Sequence, residues 1–522
     1  MSEDVRKQGL PGHSLGRREL IKLGTAGLVG AALGGSAQGQ RAGGTPVPPP
    51  APGSMPDPDE LMLHVTTGYK NNYGRRSGNG PMDDVTKQIV QFVREFDESK
   101  LTETVTKAIN RTMLDTMSAM IAGFEEEPSR ISARLAMEAT GNQYKSTIFG
   151  YGISTTPELA AFCNGIQLRV CDFNDNPGHT SNLISAALAV GESVHATGKQ
   201  MMTAIAVGYE VSLVPIGFGN ADPVQAAMTA GKLMNLDEDQ LANALTLALT
   251  PHVALSKGVG VESMWKDAHS AEGTKCGVWA ATMARAGVTG PPQLFEGRGG
   301  LWGRDGMTAP FKLPIQERLA IERNWFKRRP AEDSSQGTLD VVADMRAWTK
   351  PEEIASIDYY MNPSGLGEIG DAPKWDPRNH ETADHSMPYM LSRALLDGDI
   401  YLDSYTPEKI ADPKVHELMD KITVIQVREW QGLGPSRTVI HKKNGESKAF
   451  DAYGGLRSIG EKEHPHLSDE EVVAKFNRVC AYKKIGNPQR DHMRALWSNV
   501  HEIKDVAEAV QVMAKYGQPK PL

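Results

Sequence analysis

A polar segment at residues 172–181 separates two apolar runs of the sequence, and this break constrains the fold most. The runs at 160–170 and 183–190 have small or apolar residues at almost every position, which is typical of buried helices. Asn-Pro-Gly at 176–178 breaks the chain between them. The segment also holds aspartates, asparagines, hydroxyls and a histidine. It predicts either caps of the second helix or acid–base groups that meet a polar substrate in a helical core.

The length and composition indicate a helical protein with more than one core. A chain of 522 residues exceeds the size, about 250–300 residues, at which single cores stop growing. Aromatic residues make up only 6%, whereas glycine (52) and methionine (22) are frequent, and this favours closely packed helices over a β-sandwich. The net charge of −8 argues against nucleic acid as the main partner, so we expect none.

The sequence gives no sign of a metal centre or of two common enzyme classes. The cysteines show no Cys-x-x-Cys spacing, so neither zinc nor an iron–sulfur cluster is expected. Gly258-Val-Gly260 lacks the third glycine and the preceding strand of a dinucleotide site, and no Gly-x-Ser-x-Gly elbow of a serine hydrolase occurs. We expect mostly buried, free thiols at Cys163, Cys171, Cys276 and Cys480.

The N-terminus resembles a twin-arginine export signal. Arg17 and Arg18 precede an apolar run at 23–33 and small residues suited to cleavage. The run is too short to span a membrane, which takes about 20 residues. We therefore expect a signal peptide at 1–40, a proline- and glycine-rich linker and extension at 41–84, and a mature protein in the periplasm or outside the cell, not in a membrane. A disordered leader on a cytoplasmic protein is the alternative.

Periodicity divides the remaining chain into a helical part and a mixed part. Apolar residues at helical spacing predict helices at 183–196, 201–213, 224–234, 238–249 and 270–286. Strand-like patterns and an Asn-Gly hairpin predict strands at 354–361, 422–428 and 438–450, among helices at 336–348 and 384–397. We therefore predict a mainly α fold, in which an all-helical domain (85–315 and 468–522) carries an inserted, smaller α+β lid domain (316–467).

Several segments, in their order and spacing, resemble the MmgE/PrpD family, which contains 2-methylcitrate dehydratase and cis-aconitate decarboxylase. The similarity extends over 107–513 and is carried by segments at 113–123, 208–211, 264–269, 287–297, 324–336, 382–389 and 394–398. The resemblance implies a helical domain with a lid and a homodimer. It also implies a lyase that acts on a small polycarboxylate, without metal or organic cofactor.

The resemblance implies four catalytic residues. Asp172 and His179 match the family's active-site acid and histidine, and we expect one to accept a carbon-bound proton while the other assists departure of a hydroxyl. Lys266 and Lys327 match two lysines expected to bind carboxylates and to stabilise charge that develops in the transition state. By residue type alone, an exposed lysine at a helix start and a solvated basic run remain alternatives for these two.

Six further polar residues in the same segments are expected to contact the substrate. They are Asn176, Ser181, His269, Arg328, His385 and Tyr389. For two of them a structural role remains an alternative: a buried, hydrogen-bonded side chain for His269 and a helix cap for His385.

The sequence departs from the family pattern in two loops. The bridge at 176–178 is short, and the loop at 215–223 has no histidine, which implies a different substrate or a lost activity. We expect cofactor-independent elimination of water from a hydroxy di- or tricarboxylate. Decarboxylation or epimerisation of a related polycarboxylate is one alternative, and a non-catalytic exported protein that binds carboxylates is another.

Overall fold

The computed structural model describes residues 82–130, 133, 145–175, 178–214, 221–251, 262–297, 300–301, 311–428, 430, 436–452 and 467–516. All of these belong to one compact unit of the chain, 72–522. The predicted signal peptide, nearly all of the predicted linker, and Asn176 lie outside the described residues. Of the helices that are described, none has the length and apolar character needed to cross a membrane.

Helices and one short hairpin form the first part of the described chain. In order they are α1 Asp84–Glu95, α2 Glu103–Gly123, β1 Ser146–Ile148, β2 Ile153–Thr155, α3 Pro157–Arg169, α4 Asn182–Ser193, α5 Gly198–Val211, α6 Asp222–Leu233, α7 Glu238–Leu249 and α8 Trp265–Arg285. Asp237 and Gln240 form a capping box at the start of α7. Asp237 accepts from the backbone N–H of Gln240, whose side chain accepts from the backbone N–H of Asp237.

Small residues allow these helices to pack closely. α8 packs against α3, α6 and α7. A Cβ atom at Gly277 of α8 would lie 2.5 Å from the carbonyl oxygen of Pro223 in α6. A Cβ atom at Gly123, where α2 ends, would lie 1.9 Å from the carbonyl oxygen of Gln167 in α3. A larger residue at either position would push the helices apart, because native contacts are already close.

A mixed group of helices and strands follows, and the chain then returns to helices. The elements are α9 Gln336–Asp340, α10 Val342–Trp348, β3 Ile354–Met361, α11 Pro363–Ile369, α12 His380–Ala383, α13 Met387–Asp397, α14 Pro407–Ile410, α15 Pro413–Met419, β4 Ile422–Gln426, β5 Ser436–Lys442, β6 Ser447–Ala452, α16 Asp469–Tyr482, α17 Asn487–Trp497, α18 Val506–Ala509 and α19 Gln511–Ala514. The sheet has the order β4-β3-β5-β6, with β3 and β4 parallel and the other pairs antiparallel. Gly445 has φ 92°, which fits the predicted Asn-Gly hairpin between β5 and β6.

Buried apolar residues form two clusters. The first runs from Val85 to Tyr516 and includes residues of α16 to α19. The second runs from Ala331 to Phe450 and covers one face of the four-stranded sheet. Leu319 and Phe326 pack in the first cluster, so the second begins later in the chain than the predicted boundary at 316.

The predicted mainly α fold is confirmed, but the first part is not entirely helical. The hairpin of β1 and β2 lies between α2 and α3. Asn164 of α3 holds it in place: its side chain donates to the carbonyl of Thr147 and accepts from the N–H of Phe149. Strands of three residues carry too little alternation to stand out in a sequence. The four cysteines are free, as expected, and all but Cys276 are buried.

Candidate active site

Residues on both sides of residues 176–177, in the polar break after α3, have left-handed backbone. Asp172 has φ 45°, Gly178 has φ 75° and His179 has φ 56°. A positive φ is unfavourable for residues with a Cβ atom, and such strain is concentrated at functional sites. The turn brings His179 Nε2 to 3.6 Å from Asp172 Oδ1. The structure thus places side by side the two residues that the sequence suggested as an acid–base pair.

Asp172 is a buried carboxylate held by cations. The ammonium of Lys327 donates to Asp172 Oδ2 at 2.6 Å and to its carbonyl oxygen at 3.1 Å. Arg169, in the last turn of α3, donates to Asp172 Oδ1. Burial alone would raise the pKa of Asp172, but the charges of Lys327 and Arg169 outweigh it and hold that pKa well below its usual range. Asp172 is therefore ionised at neutral pH.

A second buried carboxylate, Asp384, has the same kinds of partner. Lys266, in the first turn of α8, donates to Asp384 at 2.6 and 2.7 Å. His385 Nδ1 lies 2.7 Å from Asp384 Oδ1. Burial alone would raise the pKa of Asp384, but Lys266 and His385 hold it at about 2. Burial, and then the charge of Lys266, lower the pKa of His385, so its ring is neutral at pH 7 and donates from Nδ1 to Asp384.

The structure therefore contains two sets of lysine, aspartate and histidine. Lys327, Asp172 and His179 form set 1, and Lys266, Asp384 and His385 form set 2. The sets are close enough to interact, because Asp172 raises the pKa values of both Lys266 and His385, and both aspartates raise the pKa of Arg169. Set 2 also links Lys266, in the helical part, to a carboxylate from the second cluster.

Burial favours the protonated form of a third aspartate. Asp267 follows Lys266 on α8, has no exposed surface, and its oxygens have no hydrogen-bond partner among the described residues. The ammonium of Lys266 lies 4.0 Å from Asp267 Oδ1. Burial raises the pKa of Asp267 well above its usual range. Arg169, Lys266 and Lys327 thus lie beside Asp172 and Asp384, and the raised pKa of Asp267 reduces its negative charge.

The arrangement offers acid–base groups and cations, and we find no metal site in it. Within the described part of the chain, no group of three or more His, Cys, Asp or Glu side chains is placed to hold a metal ion. The chemistry that these side chains can perform is proton transfer, together with electrostatic stabilisation of negative charge.

Two of the predicted substrate contacts make local structural hydrogen bonds. The backbone N–H of Ser181 donates to Asp175 Oδ1 at 3.1 Å, and the Ser181 hydroxyl is 3.1 Å from Asn174 Nδ2. Asp175 thus fills the capping role that the sequence left open, at the start of α4. His269 is half-buried and its Nδ1 lies 3.0 Å from the carbonyl oxygen of Lys266, so the predicted alternative holds for the hydrogen bond but not for full burial.

Two other predicted contacts lie away from sets 1 and 2. Arg328 directs its guanidinium to Glu471 of α16, on the far side of the chain from the buried ammonium of Lys327. Tyr389 is buried in the second cluster, and its hydroxyl donates to the carbonyl of Ser404. The structure brings together Asp172, His179, Lys266, Lys327 and His385, and Asn176 lies outside the described residues.

Two domains of one known family match most of the chain. The MmgE/PrpD N-terminal domain matches residues 87–312 and the MmgE/PrpD C-terminal domain matches residues 330–498. The chain belongs to the MmgE/PrpD family. The family resemblance seen in the sequence is thereby confirmed. The boundary between the two family domains also falls where the second apolar cluster begins.

Individual members of the MmgE/PrpD family are distant relatives. Cis-aconitate decarboxylase of Homo sapiens is 25% identical over 374 residues, which cover 65% of this chain and 76% of the human protein. The 2-methylcitrate dehydratase of Cupriavidus necator is 25% identical over 315 residues, covering 52% of this chain and 63% of that protein. The 2-methylcitrate dehydratase of Salmonella typhimurium is 23% identical over 381 residues, covering 65% and 77%. These relatives are enzymes that act on small carboxylates.

Sequence reasoning missed three residues of the site. Arg169 was hidden within an apolar helical run, although a cation at the last turn of a buried helix is itself unusual. Asp267 and Asp384 each stand directly beside a residue that was singled out, Lys266 and His385. In two different segments, an aspartate thus stands next to a candidate residue. This was the signal from which Asp267 and Asp384 could have been predicted.

Proposed function

We propose that this MmgE/PrpD family member is a lyase that eliminates water from a hydroxy di- or tricarboxylate, using side chains alone. The observation that carries the proposal is the pair of buried sets, each with a lysine, an ionised aspartate and a histidine. Elimination needs one group that accepts a proton from carbon and another that donates a proton to the departing hydroxyl. Two sets in one positively charged site supply both.

His385 is the proposed base. Its ring is neutral and donates from Nδ1 to ionised Asp384, so its Nε2 carries the lone pair, as in other aspartate–histidine pairs. It removes the proton on the carbon beside a substrate carboxylate, and the electron pair left on carbon forms the new double bond. The carbon–oxygen bond then breaks, and the hydroxyl leaves as water.

His179 is the proposed acid, and Asp172 is its positioning residue. Asp172 is held ionised, so it has no proton to donate and little affinity for one. This revises the expectation that Asp172 and His179 divide the proton transfers between them. An ionised carboxylate 3.6 Å away stabilises a charged imidazole ring, which can protonate the departing hydroxyl.

The elements around the second cluster are proposed to act as a lid. Lys266 belongs to α8 of the helical part, whereas Asp384 and His385 come from the second cluster. Set 2 is therefore complete only when the two parts meet. Closure of this kind excludes water and strengthens the electrostatic interactions inside a site.

We also infer a homodimer, as the family resemblance implies. Trp265 and Trp279 lie on α8 and are 51% and 49% exposed. Their spacing places them on one face of the helix, and tryptophan is frequent among the residues that dominate interface energies. Light scattering of the purified protein should give twice the chain mass, and Trp279→Glu should shift it to the mass of one chain. An unshifted dimer would place the interface elsewhere.

Exchange of the α-proton with deuterated water tests the roles of the two histidines separately. A panel of hydroxy di- and tricarboxylates is incubated with each variant, alkene is followed by ultraviolet absorbance, and deuterium uptake is followed by mass spectrometry. His385→Gln should lose both exchange and elimination. His179→Gln should lose elimination by about 10²–10⁴-fold but keep exchange, since only the proton donor is gone.

Three outcomes would decide against parts of this proposal. Loss of exchange in His179→Gln and its retention in His385→Gln would reverse the roles. Release of CO2 instead of water would assign a decarboxylase. If the wild-type protein binds carboxylates, which raises its melting temperature, yet neither exchanges nor eliminates, the protein is a carboxylate-binding protein and not an enzyme.

A further inference from the structure

A groove with four cationic side chains lies outside the catalytic sets. It has a volume of about 290 Å³ and is formed by α16 together with the segments around residues 328 and 400. Its charged lining consists of Arg328, Arg329, Lys475, Arg478, Asp399 and Glu471. Four cations therefore face two carboxylates in a chain whose net charge is −8. Asp115 and Asp340, which lie outside the lining, balance Lys475 and Arg329, so anion binding in the groove depends on Arg328 and Arg478.

The four cations differ in their ion pairs and hydrogen bonds with other residues of the protein. Lys475 is buried, donates to Asp115 at 2.6 Å and to the carbonyl of Phe173 at 2.7 Å, and is thus fixed by the fold. Arg329 is held by Asp340 at 2.6 Å and by Asp399 at 2.5 Å. Carboxylates thus balance both charges, and the protein already uses their hydrogen-bond donors.

Arg478 and Arg328 are the two cations able to receive a ligand. The Arg478 side chain is 53% exposed, and its guanidinium lies 3.6 Å from the centre of the Tyr401 ring. The carboxylate of Asp399 is 3.7 Å from Arg478. Stacking on Tyr401 holds the guanidinium plane in place, and more than half of the side chain stays exposed. Arg328 is 30% exposed and pairs with Glu471, which is 42% exposed and can move aside.

The groove is separated from the catalytic sets by the backbone itself. Phe173 and Arg328 line the groove, whereas their chain neighbours Asp172 and Lys327 are buried in set 1. In each segment, one residue thus faces the groove and its neighbour faces set 1. Because Asp172 and Lys327 have 1% or less of their side chains exposed, the two sites do not share one opening through these residues.

We propose that this groove is a second binding site, for a small multivalent oxyanion that bears carboxylates or phosphate. Arg328 and Arg478 bind it through charge-assisted hydrogen bonds. The volume is that of a small organic anion, and planar guanidinium groups match the geometry of carboxylate and phosphate oxygens. The site is independent of turnover, so it stands or falls separately from the proposed lyase activity.

Equilibrium binding of tricarballylate, a tricarboxylate with no hydroxyl to eliminate, tests the groove. Calorimetric titration of the wild-type chain is compared with Arg328→Ala/Arg478→Ala and with the single variant Arg478→Ala, whose exposed side chain makes misfolding a smaller concern. The matched control is Arg378→Ala/Arg437→Ala, which removes two exposed arginines that pair with Asp376 and Asp451. We expect the groove variants to weaken one binding event by about tenfold or more, and the control to leave it unchanged.

The outcome separates this inference from the proposed function. Loss of one equivalent in the groove variants supports the site even if the protein never turns over a hydroxy acid. Identical titrations of the wild-type, groove and control proteins would overturn it, as would equal weakening by the control. Addition of inorganic phosphate identifies the source: displacement of tricarballylate from the groove assigns a phosphate-type ligand, and no displacement assigns a carboxylate.

Discussion

Replacing Lys266 with methionine tests whether set 2 depends on its buried ion pair. The Lys266 and Asp384 side chains are 1% and 0% exposed, and their atoms approach to 2.6 Å. Lys266→Met keeps much of the apolar volume of the side chain but removes the charge. Asp384 is then left in the interior with His385 as its nearest partner. The variant should therefore lose both stability and activity.

The structure sets the size of the expected loss. If the pKa of Asp384 rose only from about 2 to the value of a free aspartate, about 3.9, the native state would lose about 2.6 kcal/mol at neutral pH. Burial without the lysine pushes that pKa higher still, and breaking buried pairs in other proteins costs about 3–5 kcal/mol. We therefore expect a loss of about 3–5 kcal/mol, out of a typical unfolding free energy of about 5–15 kcal/mol.

A double-mutant cycle isolates the ion pair. Unfolding of Lys266→Met, Asp384→Asn and the double variant is followed by circular dichroism in urea at pH 7. The double variant should be more stable than either single variant, because it leaves no unpaired buried charge. Lys275→Met is the matched control on the same helix. Lys275 pairs with Glu272 at 3.0 Å, and both side chains are about one-third exposed, so its loss should cost no more than about 1 kcal/mol.

The direction in which stability changes with pH distinguishes loss of the ion pair from a general loss of packing. In Lys266→Met the pKa of Asp384 should lie above its unfolded value, so the variant should become less stable as pH rises from 4 to 8. In the wild-type protein that pKa lies below the unfolded value, and its contribution is fully present throughout this range. If Lys266→Met were as stable as Lys275→Met, or if its stability did not fall with pH, the buried-pair argument would be refuted.

Three further outcomes are expected. Changing Arg17 and Arg18 to lysine should keep the protein in the cytoplasm, measured by fractionation, and unchanged periplasmic abundance would contradict export. Dialysis against a chelator should leave turnover intact, and a stoichiometric metal required for activity would overturn cofactor-independent elimination. Below pH 4 the wild-type protein should lose stability as Asp384 is protonated, its folded pKa of about 2 lying below the unfolded value, and constant thermal unfolding from pH 4 to 2 would contradict this.

Local patterns made much of the fold predictable. The Asn-Gly turn of the β5–β6 hairpin, the capping box at Asp237 and the small-residue helices all depend on residues near one another in sequence. The same holds for Asp172 and His179, which one turn brings together. Short strands such as β1 and β2 could not be predicted, because their stability comes from Asn164 of a following helix.

The ion pairs of the site were not predictable, because they join distant segments. Lys266 and Asp384 are 118 residues apart, and Lys327 and Asp172 are 155 apart. A sequence reports that each residue is charged but not which partner neutralises it. Free lysines would bind carboxylates of the substrate directly, whereas here each lysine already holds an aspartate. The consequence is that both aspartates remain ionised and orient histidines, a role that no local pattern encodes.

The same charges bear on whether water or CO2 leaves the substrate. Decarboxylation moves the charge of the departing carboxylate onto carbon, so cations fixed on that carboxylate stabilise the starting state and oppose the reaction. Elimination of water keeps every carboxylate, and a positive site then stabilises the charge that develops beside one of them. In the described site Arg169, Lys266 and Lys327 lie beside Asp172 and Asp384, and burial raises the pKa of Asp267 well above its usual range. As part of the proposed function, we therefore favour a dehydratase over a decarboxylase, the activities named for two of the relatives.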